Sequence, residues 1–441
     1  MTAGMFDSFI TRHWFSAEAK EIWSDLQTLQ AWLDVEAALA QAQGRLGVIP
    51  ADMVPVIAKA CRHERFDTER LSRDIAHAQH PFVPVLRQLE VFAGEPAAGF
   101  IHWGATTQNI FDTSMALQMR RTQALIDTTL SAAETSLSEL ALAHRDTLQA
   151  GRTHGQHALP MTFGFKLTGW LEEIRRDRQR LRDRIRPSFV ACLGGAIGTF
   201  AAMGDKGPAV EAEMATILDL EPAVLPMRSS FDRASDYFCA MALLAKTAEK
   251  IAQDVVFMQR TEIGEVEEAF HMGKVGSSTM AQKRNPSTAL LLISLCGLLS
   301  ARLPLILGSM VRMDEGDSSA TNVADVAVPE IAILGASVAE TLARLVAGLV
   351  VHVDVMKRNV EITNGLIVSE AAMMQLSDRL GRHKAHHMLY EAAQRSVMTG
   401  TPFTQAIAEH PEMAGHDMVT LDIADYTGQS AALTVRLNGT R

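Results

Sequence analysis

The sequence predicts an all-α protein organised around a bundle of long helices, on three observations. Ala, Leu, Met, Glu and Arg are abundant while prolines number 15 in 441 residues, a balance that favours helix over sheet. Five segments keep helical periodicity for roughly 25 to 35 residues, well beyond the ~11–12 of a mean globular helix. In the third, Leu244, Ala248, Ile251, Val255 and Met258 follow alternating steps of four and three, with Lys246, Glu249, Lys250, Gln253 and Asp254 turned away. That is the seam of a helix packed nearly parallel to its neighbours. The chain is too long for one compact core, so three helical domains are expected, at residues 1–105, 106–353 and 354–441.

In chain order, residues 18–46 read as a first helix, with Ile22, Leu26, Leu29, Trp32, Leu33 and Ala37 on one face. Residues 66–93 read as a helical pair interrupted at His80-Pro81. The five long candidates follow at 113–147, 161–187, 233–268, 287–314 and 326–353, and residues 354–441 form a shorter helical unit. The candidate from Ser287 carries Ala289, Leu290, Leu291, Leu292, Ile293, Leu295, Cys296, Leu298 and Leu299 with almost no polar face. It should be covered on every side, which implies self-association through the bundle.

A net charge of -10 argues against nucleic acid or an anionic membrane as partner. The uncharged stretch 285–301 is shorter than the ~20 apolar residues of a membrane span. Cys61, Cys192, Cys239 and Cys296 lie far apart and read as reduced thiols of a cytoplasmic protein. The first residues lack the apolar run of a signal peptide. His383 and His387 stand four apart and could hold zinc, but no third ligand is evident and surface histidines are expected. No metal and no cofactor is called for.

Chemistry concentrates in three segments. GSSTMAQKRNP spans 276–286, where Gly273 and Gly276 free the backbone before Asn285-Pro286, a strong helix start with Asn as N-cap and Pro at the first helical position. A hydroxyl-rich loop thus runs into the positive end of an apolar helix, with Lys283 and Asn285 beside it, a natural carboxylate site. HWGATTQNIFDT lies at 102–113 and GRTHGQHALPMTFG at 151–164. Alone, the first would pass for a polar helix start. The two histidines of the second, close to a helix start, point to function rather than structure.

Together these segments resemble the three conserved regions of the fumarase/aspartase superfamily, and the similarity runs through nearly the whole chain. The segments CLGGAIGTFAAMGDKG at 192–207 and SDRLGRHKAHHMLYEAAQRS at 377–396 look like the branch of 3-carboxy-cis,cis-muconate cycloisomerase and adenylosuccinate lyase. The resemblance implies a three-domain all-α fold and a homotetramer with a twenty-helix core, whose active sites each combine three subunits. It implies that Ser277 is the general base, removing a proton from the carbon beside a carboxylate, and that Lys283 and Asn285 hold the resulting aci-carboxylate. Such a carbanion needs preorganised donors. Ser278 and Met280 fall in the same loop as substrate contacts. His102, Thr106, Thr107, Gln108, Asn109 and Thr153 would bind the substrate and its carboxylates, with Gln156, His157 and Arg233 as further contacts. His154 would protonate the leaving group, although the sequence leaves His154 and His157 both open for the second proton.

The match departs at named positions. Ala281-Gln282 stand where both branches usually carry Pro-His, Leu290 where many members have a glutamate, and Gly316 where an arginine is usual. Fewer cations disfavour a phosphorylated nucleotide, which needs several charge-assisted contacts. The expected reaction is β-elimination from a small N- or O-substituted succinate, releasing fumarate or a related unsaturated acid. Cycloisomerase-type lactonisation and adenylosuccinate cleavage are the alternatives, and a non-catalytic tetrameric scaffold is the reading from another class.

Overall fold

The computed structural model describes residues 4–270, 273, 276–414 and 421–439. Its helices run α1 (Ala17–Ile22), α2 (Asp25–Arg45), α3 (Val54–Ala60), α4 (Thr68–Ala78), α5 (Val83–Ala93) and α6 (Thr107–Ala143). A hairpin of β1 (Leu148–Thr153) and β2 (Gln156–Thr162) follows, then α7 (Phe163–Asp183), α8 (Ile185–Ser188), α9 (Gly207–Leu218), α10 (Asp232–Met258), α11 (Ser287–Gly308) and α12 (Ser318–Ala347). The chain closes with α13 (Val353–Glu361), α14 (Ser369–Leu380), α15 (Arg382–Thr399), α16 (Phe403–Ala408) and α17 (Ser430–Gly439). The fold is all-α, and α6, α7, α10, α11 and α12 are the five long helices expected from periodicity.

Boundaries moved where a side chain caps a helix end. The expected helix over 18–46 is two helices, because Ser24 accepts the Gln27 N–H at 3.3 Å and starts α2 afresh. Leu26, in that first turn, is consequently 45% exposed while Leu29 and Leu33 are buried. The pair over 66–93 is α4 and α5, with His80 Nδ1 accepting the Phe82 and Val83 N–H groups between them. The third long helix stops at Met258, ten residues before its expected end, because Gly264 turns the chain back at φ 61° and Glu265 N–H closes on the Met258 carbonyl. The last begins at Ser318, where Asp317 accepts the Ser319 N–H at 2.9 Å.

The chain forms two compact units. The first comprises Met1–Leu130, Arg176–Ala248 and Ser294–Glu340. Its core joins Leu33, Leu39, Ile57, Phe82, Leu89 and Ile110, all fully buried. Glu211 of α9 lies at its margin, 4% exposed, and accepts the Leu193 N–H at 2.8 Å. Burial pushes this carboxyl up to about 7. A carboxyl raised on folding makes stability fall as pH climbs from its unfolded value to its folded one. Glu211→Gln, which keeps the accepting oxygen, should therefore gain on the order of 2 kcal/mol over the parent above about pH 7, and nothing at pH ~4. Urea titrations at the two pH values measure it; an equal difference at both would sink the assignment.

The second unit comprises Ser131–Arg175, Glu249–Ile293 and Thr341–Arg441. It holds the β1–β2 hairpin, the antiparallel pair Val266–Glu267 with Val350–Val351, and an apolar cluster around Leu376, Met388 and Phe403. The hairpin corrects the expectation that a helix opens at residue 161 directly after a polar loop. His154-Gly155 form a two-residue turn at φ 53° and 76°, the left-handed geometry that joins twisted strands most easily.

The expectation that the apolar segment 285–301 is too short to cross a membrane also needs correcting. As α11 it reaches 22 residues, and α11 and α12 are both long and apolar enough to cross a membrane by length and composition. However, Arg302 of α11 meets Glu330 of α12 at 2.7 Å, a charge pair within both helices. Its own chain buries 28% of the most apolar stretch of α11, so the cover expected on every side is not supplied within one chain. Leu290, Leu305 and Leu307 stand exposed.

Candidate functional site

In the first unit the 102–113 segment is a tight loop running into α6. His102 sits at φ 58° with its Nδ1 2.6 Å from Glu36, whose carboxylate also accepts the His102 backbone N–H at 3.2 Å. Glu36 is 1% exposed, so the ring is anchored from the core side. Asn109 is 2% exposed and its Oδ1 accepts two backbone N–H groups, from Thr106 at 3.0 Å and Gly195 at 3.1 Å. That carbonyl ties the helix start to the glycine-rich 194–198 turn, where a Cβ on Gly194 would press on the Gly198 backbone. Thr106, Thr107 and Gln108 remain partly exposed at the helix start.

Gln108 donates to the Asp112 carboxylate at 2.7 Å, one turn along α6. Burial raises Asp112 to about 6, against the lowering influence of the Gln108 amide, Arg312 and Arg228. Both residues line a cavity of about 230 Å³ with Trp32, Phe111, Arg312 and Asp325. Arg233, the second residue of α10, lines a smaller void that Asp112 also borders. The structure therefore groups Gln108 and Arg233 around an aspartate that sequence reasoning missed. A Gln-x-x-x-Asp spacing on one helix face was the available signal.

In the second unit the hairpin presents Thr153, His154 and Gln156 exposed at its tip, with Thr153 paired to Gln156 and Arg152 to His157. An irregularity at Gly151 kinks β1, and a Cβ there would strike the Leu159 carbonyl. Beneath the tip, Glu265 is fully buried and grips Arg152 through two hydrogen bonds, of 3.0 and 2.5 Å. Gln149 at 2.9 Å and Asn359 at 3.0 Å complete its shell. Burial acts to raise this carboxyl, yet the hydrogen bonds from Arg152, Asn359 and Gln149 outweigh it and hold it below the usual range. The His157 Nδ1 is buried without a hydrogen-bond partner among the described residues. Burial, and then the Arg152 charge, lower this imidazole against the pull of Glu265.

The serine loop closes on itself. Ser277 Oγ accepts the Thr279 N–H at 3.3 Å and the Met280 N–H at 3.1 Å. Asn285 donates to the Gly276 carbonyl at 2.5 Å, and a Cβ on Gly276 would overlap the Lys283 carbonyl. Ser278, Met280 and Lys283 are exposed, and the Lys283 ammonium has no ion-pair partner among the described residues. Residues 271, 272, 274 and 275, on the approach that includes Gly273, lie outside the described residues.

One expectation changes here. The N-terminus of α11 is occupied by the chain itself, because Glu268 accepts the Thr288 N–H at 3.0 Å and the Ala289 N–H at 2.6 Å. The donors expected for a substrate carboxylate are thus capped, and those facing Ser277 come from its own loop. Elsewhere His383, His386 and His387 lie on the exposed face of α15, and no cluster of three metal-ligating side chains occurs among the described residues.

Comparison with known proteins identifies the family. A family model described as Lyase matches residues 15–299, and one described as Adenylosuccinate lyase C-terminus matches residues 365–437. The chain is 36% identical to N-acetyl-S-(2-succino)cysteine lyase of Enterococcus italicus, over 98% of this chain and 96% of that protein. It is 35% identical to 3-carboxy-cis,cis-muconate cycloisomerase of Pseudomonas aeruginosa, over 98% and 95% respectively. The crystal structure of 3-carboxy-cis,cis-muconate lactonizing enzyme from Pseudomonas putida superposes with a TM-score of 0.89 at 33% identity, covering 97% of both chains. A family model over more than half the chain and full-length relatives of this similarity leave one assignment: the chain is an enzyme of the fumarase/aspartase lyase superfamily, in the branch that holds 3-carboxy-cis,cis-muconate cycloisomerase and adenylosuccinate lyase.

Proposed function

We propose that the chain catalyses β-elimination from a small 2-substituted succinate, releasing fumarate. The observation that carries this reading is Ser277 Oγ, which accepts two backbone N–H groups of its own loop. Hydrogen bonds of that polarity favour the charged oxygen, the form a serine base requires. Its alkoxide takes the proton from the carbon beside a carboxylate, Lys283 and Asn285 stabilise the aci-carboxylate, and the electron pair then forms the double bond as the bond to the substituent breaks. The leaving atom departs with that bonding pair and takes a proton from His154. His154 is preferred to His157 for this step, because it stands exposed at the hairpin tip whereas the His157 Nδ1 is buried without a hydrogen-bond partner among the described residues.

Nitrogen and oxygen are the leaving atoms expected from the sequence, and the name of the Enterococcus relative adds sulfur. Thr106, Thr107, Gln108, Thr153 and Gln156 would bind the carboxylates, Arg233, Ser278 and Met280 would line the substrate, and His102 and Asn109 would hold the first loop in place. Lactonisation of 3-carboxy-cis,cis-muconate is the second reading, favoured by the muconate relatives. The exposed apolar face of α11 supports self-association, so we propose a homotetramer with sites shared by three subunits. The three-part division of the chain, at residues 105 and 353, belongs to the same proposal. Its free cysteines accord with a cytoplasmic location.

The test incubates the enzyme with fumarate and a panel of thiols and amines, and separately with 3-carboxy-cis,cis-muconate, and identifies products by mass spectrometry. An adduct of fumarate establishes the elimination in reverse and names the leaving group. A lactone transfers the assignment to the cycloisomerase. Neither product, from protein that sediments as a tetramer, would refute both.

A further inference from the structure

The first unit's cavity has a charge pattern that the reaction does not use. Trp23, Trp32, Phe111 and Phe231 give it aromatic walls, with Trp32 and Phe111 stacked at 4.7 Å. Asp112 of α6 and Asp325 of α12 both line it, and among the described residues neither has an ion-pair partner within 4 Å. The nearby cations are engaged with the backbone. Arg312 donates to the Ser309 carbonyl at 3.1 Å and the Arg228 carbonyl at 2.7 Å, lying 4.7 Å over the Phe231 ring. Arg228 donates to the Ala196 carbonyl at 3.1 Å and packs against Gly316. Burial raises both aspartates, against the pull of Arg312 on each and of Arg228 on Asp112. Asp325 keeps solvent access, so a ligand can reach it.

We propose that this cavity receives a protonated amine carried by the leaving group, held between the Asp112 and Asp325 carboxylates and against the Trp32–Phe111 pair. The inference rests on the elimination reading through Gln108, which lines the cavity and stands among the substrate-binding residues. An ammonium can pair directly with the two carboxylates, which the backbone-bound arginines do not, and is attracted to aromatic faces. A volume of about 230 Å³ accommodates a cysteine-sized group. The preferred substrate is then a substituted succinate whose departing thiol, amine or alcohol bears a free amino group. The Enterococcus relative, by its name, takes an acetylated one.

The experiment titrates S-(2-succino)cysteine and its N-acetyl counterpart into the Ser277→Ala variant by calorimetry, so that turnover does not interfere. The free amine is expected to bind at least ~10-fold more tightly. Asp325→Asn in the same background should weaken the amine form by ~10-fold and leave the acetylated form unchanged. Asp112→Asn, which keeps the oxygen that accepts from Gln108, should do the same. Equal affinities, tighter binding of the acetylated form, binding of neither, or a preference that survives both substitutions would each overturn the proposal. Fumarate release by the unsubstituted enzyme is scored separately. Its absence beside an intact amine preference would sink the elimination and spare the cavity; release from both compounds without preference would do the reverse.

Discussion

Ser277→Ala is expected to lower turnover by at least ~100-fold while leaving assembly and thermal stability unchanged, equivalent to ~3 kcal/mol of transition-state stabilisation. The hydroxyl oxygen is the acceptor for the Thr279 and Met280 N–H groups, and an alanine leaves those donors facing solvent in an exposed loop. Their loss costs little folding energy because water replaces the serine. On the proposed mechanism the base has no substitute, so the effect falls on the chemical step. Stopped-flow measurement of fumarate absorbance with the best substrate of the panel reads it directly, and sedimentation velocity reads assembly. Turnover within a few-fold of the parent would remove Ser277 from its role.

Glu265→Ala should have the largest effect on stability, with a loss of about 3–5 kcal/mol, the range seen when one partner of a buried pair is removed. Arg152 is 14% exposed, and its guanidinium would lose both carboxylate oxygens and keep the Ala150 carbonyl at 3.4 Å. Gln149 and Asn359 would lose one each. The pH dependence follows from the direction of the shift. The carboxyl is held below its ordinary value on folding. Its stabilising contribution is therefore complete above the unfolded value of ~4.3 and disappears as pH falls through the lower folded value. Urea titrations of parent and variant should differ most near neutrality and converge in acid. A difference under ~1 kcal/mol at pH 7 would show that the ion pair merely offsets its own desolvation.

Much of the helical plan was legible because long amphipathic helices state their period many times over. Leu244 to Met258 alone gives four consecutive steps of one seam, and α10 contains all of them. Ends were less legible. They turn on single capping side chains such as Ser24 and Asp317, which look like any polar residue until the backbone around them is known. The β1–β2 hairpin was missed for a related reason. Its strands carry Pro160 and a kink at Gly151, so alternation is interrupted on both sides. His154-Gly155 was a readable turn, but the strongly helical composition argued against strands.

The site divides in the same way. Ser277, Lys283 and Asn285 could be singled out as candidates because one short segment carries them all. Glu265, Glu268, Asp112 and Asp325 were not, since each acquires its role from a partner or cavity assembled in space. Arg152 and Glu265 are 113 positions apart, and no local pattern announces such a pairing. The helix end capped by Glu268 shows the converse. The sequence advertises an anion site, and the chain supplies the anion.

Glu265 and Glu268 also share one extended strip. Val266 and Glu267 between them pair with Val350 and Val351. One end of the strip clamps the hairpin that carries His154, and the other clamps the first turn of α11, directly behind the serine loop. Four consecutive residues thus tie the hairpin and the start of α11 within one chain to each other. A residue inserted within the strip would reverse the facing of one carboxylate relative to the other. A change of length within the strip would therefore disturb both clamps at once.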